Sequence, residues 1–158
     1  MPFFDNISLL HERIQSITAG LQLVIPELII SGTVLFSLLI ELFLHGKTEK
    51  FSTSWRYFFL QIPLLLALSL SFQRNELALT GSFASGLFEA NLGSNAVNTL
   101  ILSIGFLLIL MNQIHKKSLS FEELIGFLSI LLGSLFVTMS TSGLSLFLSI
   151  EFMSMGTY

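Results

Sequence analysis

From Leu124 to Ile150 the chain runs without a single charged side chain. A helix that is apolar all round for that length is one surrounded by lipid or by protein. A bilayer crossing needs about 20 mostly apolar residues, so the stretch is too long for one comfortable span. Ser140-Thr141-Ser142-Gly143 is the natural place to divide it, since Gly supplies a helix C-terminus and Ser or Thr the next N-cap. The division puts a fourth transmembrane helix (TM4) at 121–140 and the first part of a fifth (TM5) at 144–158. The alternative, one tilted helix, draws Glu151 out of the membrane.

Composition supports the same class. The chain is 53% hydrophobic and 11% charged, against about 25% charged in an average soluble domain, and mean hydropathy is +0.83. Disorder is excluded. A formal charge of −3 argues against a polyanion-binding chain and so against nucleic-acid partners. With no cysteine there is no disulfide, thiolate metal site or cysteine nucleophile.

Three more spans follow. TM1 covers 21–44, with Pro26 tolerated in its first turn and Glu27 and Glu41 near its two ends. TM2 covers 55–73; its apolar run, Tyr57 to Phe72, is bracketed by Arg56 and Arg74, and Trp55, Tyr57 and Gln73 read as interfacial flanks. TM3 covers 97–114 and ends at His115-Lys116-Lys117. The expected fold is all-α, a polytopic transmembrane helix bundle. Lys47, Lys50 and Arg56 follow the first span and Lys116 and Lys117 the third, against Arg13 and Arg74 on the other side. That asymmetry predicts an outward N-terminus. Asp5 and Glu12 stand where a secretory signal needs a basic region and an apolar core.

Along the lead-in at residues 1–20 and into the first span, Phe3, Ile7, Leu10, Ile14, Ile17 and Leu21 mark one helix face. Such a lead-in helix either lies in the outer interface or on a partner, or packs on its own bundle. The extracytoplasmic loop, 74–96, is rich in Gly, Ser and Asn. Its Phe83, Leu87 and Phe88 read either as membrane-surface anchors or as parts of a plain loop. No phosphate-binding glycine motif occurs there.

His11, His45 and His115 lack the spacing of a metal site, so no metal is expected. Glu27, Glu41, Glu122 and Glu123 fall near helix ends, where headgroups and water solvate them. Glu151 differs, because it falls roughly 10 Å along TM5 from Leu144, inside a core about 30 Å thick. An ionisable group at that depth suggests a functional site, and one that can change charge state suits a proton relay. Ser154 and Tyr158, at i+3 and i+7, share its face. The other reading is a protonated glutamic acid that hydrogen-bonds a neighbouring helix. All Lys and Arg lie outside the apolar stretches, so a partner cation has to come from another chain or from residues beyond Tyr158.

Several motifs resemble a known family. Pro26-Glu27-Leu28 opens an apolar span that closes with Glu41-Leu42-Phe43, and a polar loop with Gly81-Ser82-Phe83 precedes the third helix. Phe121-Glu122-Glu123-Leu124 leads through a small-residue loop to Leu146-Phe147-Leu148-Ser149-Ile150-Glu151-Phe152-Met153-Ser154. In order and spacing this resembles the antiporter-like subunit N (subunit 2) family of respiratory complex I over nearly the whole chain. Thr141-Ser142-Gly143 stands where that family usually carries Asn or Asp. The resemblance implies a proton-translocating subunit of NADH:quinone oxidoreductase, with three accessory helices before the first antiporter-like inverted repeat. It makes Glu151 the relay carboxylate, paired with a lysine on a later helix. It places NADH, FMN, iron–sulfur clusters and quinone in other subunits, with no cofactor bound by this chain. Partners would be the other membrane-arm subunits and the lipid bilayer, in a bacterial inner (cell) membrane. It also leads us to expect that these residues are the N-terminal part of a longer subunit. The related ion-translocating subunit of multisubunit cation/proton antiporters shares the glutamate, and a non-catalytic structural membrane subunit is the rival of another class.

Overall fold

In the computed structural model, residue 18 and residues 20–43, 53–115 and 120–157 are described. Most of the lead-in helix, with His11, His45, Arg13, Lys47, Lys50, Lys116, Lys117 and Tyr158, lies outside them. The elements run α1 (Ile25–Phe43), α2 (Thr53–Glu76), β1 (Gly81–Phe83), β2 (Phe88–Ala90), α3 (Leu92–Ile114), α4 (Phe121–Met139) and α5 (Gly143–Met155).

The helix starts have local causes. Pro26 stands in the first turn of α1, where its missing N–H costs nothing. Reciprocal capping boxes open three later helices: Asn91 with Ser94, Ser120 with Glu123, and Ser142 with Ser145. Gly143 therefore opens α5 instead of closing α4, and the chain breaks at 140–142 instead of forming one tilted helix. The flanking helices also reach into the expected loop: α2 continues to Glu76 and α3 begins at Leu92.

Leucine and isoleucine at three- and four-residue spacings knit α1 to α4 into one core. Ile30 and Val34 of α1 meet Leu60, Leu64 and Ala67 of α2, Leu102 and Ile109 of α3, and Leu124, Leu128, Leu131 and Leu135 of α4. Tyr57, expected as an interfacial flank, is buried with them. The outer surface is equally apolar: Leu35 is 60% exposed, Leu100 59% and Leu107 58%. An apolar exterior of this extent is a surface made for lipid. By length and composition α1, α3 and Glu122–Met139 of α4 suffice to cross a membrane. Helix α2 is 24 residues long, but Gln61, Gln73 and Arg74 lower its hydropathy, and among the described residues it does not count with these three.

Helix α5 lies outside the four-helix core and packs chiefly on α4. Glycines permit the close approach: a Cβ on Gly133 would fall 2.7 Å from Met153 N, and one on Gly126 would fall 2.6 Å from Gly156 O. Hydroxyls line the inner side of α5, where Ser145 and Ser149 are buried.

Between α2 and α3 the polar connection folds as an antiparallel hairpin, pairing Gly81 with Ala90 and Phe83 with Phe88. Its turn places Ala84, Ser85 and Gly86 at positive φ, a cost that only glycine escapes. Phe83 stacks on Phe88 with centroids 5.3 Å apart, and Phe88 packs on Phe136 of α4 at 5.3 Å. The two rings thus turn inward onto the bundle end, not outward as membrane anchors. Thr141 fastens the hairpin to the α4–α5 corner, its N–H donating to Leu87 O at 3.2 Å and its Oγ1 to Gly86 O at 2.6 Å.

Candidate functional site

Glu151 sits eight residues into α5, about 12 Å from its start, on an exposed stretch of the helix. Leu144, Phe147, Leu148 and Met155 recur at helical spacing on that face, all of them exposed. Its carboxylate makes no hydrogen bond or ion pair among the described residues. Ser154, expected as its polar neighbour, is half-buried and donates its hydroxyl to the Glu151 backbone carbonyl at 2.8 Å. The described part of the polar face therefore does not form a side-chain chain. His115 is exposed, its Nδ1 2.8 Å from Met111 O. Among the described residues no cluster of His, Asp and Glu is arranged to hold a metal ion.

The structure assembles a different set of groups at the hairpin end of the bundle. Antiparallel packing brings the first turn of α1, the last turn of α2, the start of α3 and the last turn of α4 together. Glu27 of α1 is fully buried and Arg74 of α2 is 2% exposed. Arg74 Nη1 donates to Glu27 Oε1 at 3.0 Å, to Oε2 at 3.2 Å and to Leu23 O at 2.7 Å. Asn98 Nδ2 of α3 donates to Glu27 Oε1 at 3.0 Å, and Thr138 Oγ1 of α4 donates to Asn98 Oδ1. The network on this one carboxylate thereby joins four helices.

A second layer joins α2 to α3. Ser71 Oγ lies 2.7 Å from Thr99 Oγ1, Asn75 Nδ2 donates to Thr99 Oγ1 at 2.8 Å, and Asn95 Nδ2 donates to Leu79 O at 2.8 Å. Burying charge without compensation costs many kcal/mol. The pair persists because the carboxylate accepts three hydrogen bonds and the cation lies against it. Chemically, the arrangement holds a fixed negative charge between a guanidinium and an amide, an orienting device in a low-dielectric interior.

This site corrects two expectations. Glu27 is not solvated at the interface, and Arg74 is not an exposed flank. Sequence did carry a signal: Ser71, Arg74 and Asn75, like Asn95, Asn98 and Thr99, fall at i, i+3 and i+4. Each set makes a polar stripe on one helix face at the edge of an apolar run.

Apolar helices of spanning length, a lipid-suited exterior and a charged pair buried between the helices define a polytopic all-α membrane protein. The chain matches no protein-family model and no curated protein sequence.

Proposed function

We propose that the chain is a proton-translocating membrane-arm subunit of an NADH:quinone oxidoreductase, with Glu151 as a protonatable relay member. The observation that carries the reading is the place of Glu151. It is a carboxylate midway along an apolar helix, on an outer apolar face, with no partner among the described residues. In a membrane such a group demands a covering donor or cation and marks an ion pathway. The sequence resemblance to subunit N supplies the complex. Redox chemistry and its cofactors would reside in other subunits, and the setting would be a bacterial inner membrane with the N-terminus outside.

The test is Glu151→Gln in the assembled complex, which keeps the shape and removes the exchangeable charge. We expect proton pumping and coupled turnover to fall at least tenfold while assembly is retained; pumping at the wild-type level would remove Glu151 from the relay. NADH-dependent quinone reduction by the purified assembly separates this reading from the ion-translocating subunit of a cation/proton antiporter. A structural membrane subunit is favoured by one specific observation, the buried Glu27–Arg74–Asn98–Thr138 network, which ties four helices together. Normal pumping by the Glu151→Gln complex would select it.

A further inference from the structure

The buried ion pair uses one edge of a guanidinium and leaves the other unused. All three contacts of Arg74 go through Nη1. Nε and Nη2 are buried and have no partner among the described residues. These two nitrogens form the side-on edge of the guanidinium, whose parallel N–H groups match two oxygens of a carboxylate or phosphate. Leaving them empty in a low-dielectric interior is costly.

Arg74 is also part of the wall of a cleft of about 310 Å³ between the lead into α1 and the end of α2. Two exposed amides, Gln22 and Gln73, line the same cleft, and Leu70, Leu77 and Leu79 supply apolar wall. No acidic residue lines it. It opens at the hairpin end, one helical turn from the end of α2, the level at which lipid headgroups meet a membrane protein.

We propose that this cleft binds a phosphate oxyanion on the free edge of Arg74, with Gln22 and Gln73 donating from the rim. Its source is the phosphodiester of a membrane phospholipid, whose acyl chains run along the leucine wall. The guanidinium then bridges two anions, Glu27 inside the bundle and the phosphate at its margin, so the lipid completes the hydrogen bonding of the buried pair. The inference is independent of the proton-coupling reading.

The full chain, purified in dodecyl maltoside and stripped of lipid, is titrated separately with three probes. They are dioleoylphosphatidylglycerol, dioleoylglycerol (the same chains without phosphate) and inorganic phosphate. Native mass spectrometry counts bound lipid, and thermal unfolding reports stabilisation. Phosphatidylglycerol is expected to bind and raise the unfolding midpoint, with dioleoylglycerol inert. Gln22→Leu/Gln73→Leu, which leaves the ion pair intact, is expected to weaken phosphatidylglycerol binding about tenfold. Arg74→Lys, which keeps the charge and loses the fork, should do the same or more. Equal effects of dioleoylglycerol and phosphatidylglycerol, or unweakened binding by the Gln22→Leu/Gln73→Leu variant, would overturn the proposal. Stabilisation by inorganic phosphate matching that by phosphatidylglycerol would overturn the lipid as the source.

Discussion

Glu27 and Arg74 show how far the consequence of one charge depends on what surrounds it. At a solvated helix end, an isolated Glu→Gln change moves stability by a few tenths of a kcal/mol. Here Glu27 is fully buried and faces a guanidinium at 3.0 Å, so Glu27→Gln strands a buried cation. We expect a loss of about 3–5 kcal/mol, measured by reversible unfolding in mixed detergent micelles. The paired change Glu27→Gln/Arg74→Met removes both charges and should recover most of that loss. A double variant as unstable as the single one would show that the charges do not act as a pair. Glu151 stands at the other extreme, with no partner among the described residues, and Glu151→Gln should leave unfolding nearly unchanged, while under the proposed function pumping falls. Opposite patterns at the two glutamates, stability at one and transport at the other, would separate structural from functional charge within one chain.

At the scale of elements, the α4–α5 pair is the closest contact because glycine removes the side chain that would keep the backbones apart. A methyl group on Gly133 meets Met153 N at 2.7 Å and Met153 Cα at 2.9 Å, and backbone cannot swing aside as a side chain does. Gly133→Ala should therefore displace α5 and destabilise the chain by about 1–3 kcal/mol. Gly105→Ala should be milder, since its contact is the flexible end of Leu131. Spin labels on α4 and α5 would read the displacement as a longer interhelical distance; an unchanged distance would show that the pair repacks without it. Helix α5 is the element with most to lose, because it leans on α4 and otherwise presents leucine and phenylalanine outward.

For the molecule as a whole, the core joins α1 to α4 while the exterior stays apolar, so the bundle is organised for a bilayer from both sides of each helix. The absence of native cysteine makes single-site labelling clean. With the proposed outward N-terminus, Ser85→Cys in the hairpin turn should react with a membrane-impermeant maleimide added outside sealed cells. Ser120→Cys, at the start of α4 and the opposite end of the bundle, should react only after permeabilisation. The reverse pattern would invert the orientation inferred from the lysine-rich loops. Both substitutions lie at exposed positions, so neither should disturb the core.

That the molecule is a membrane helix bundle was legible in the residues alone. Apolar length, the scarcity of charge and the break at residues 140–142 are properties of contiguous stretches, and local capping chemistry ends or begins a helix wherever it occurs. Glu151 stood out in the same way, as one carboxylate inside an apolar run. The fate of polar groups near helix ends was decided instead by packing. Glu27 and Arg74 are 47 residues apart and Glu27 and Asn98 are 71 apart, and each alone reads as an interfacial residue beside water. Antiparallel packing brings those ends to one level, and the hairpin, turning Phe83 and Phe88 inward, closes over that end of the bundle. Whether a charge is solvated or buried is set by what covers it, and the covering groups come from chain segments far away in sequence.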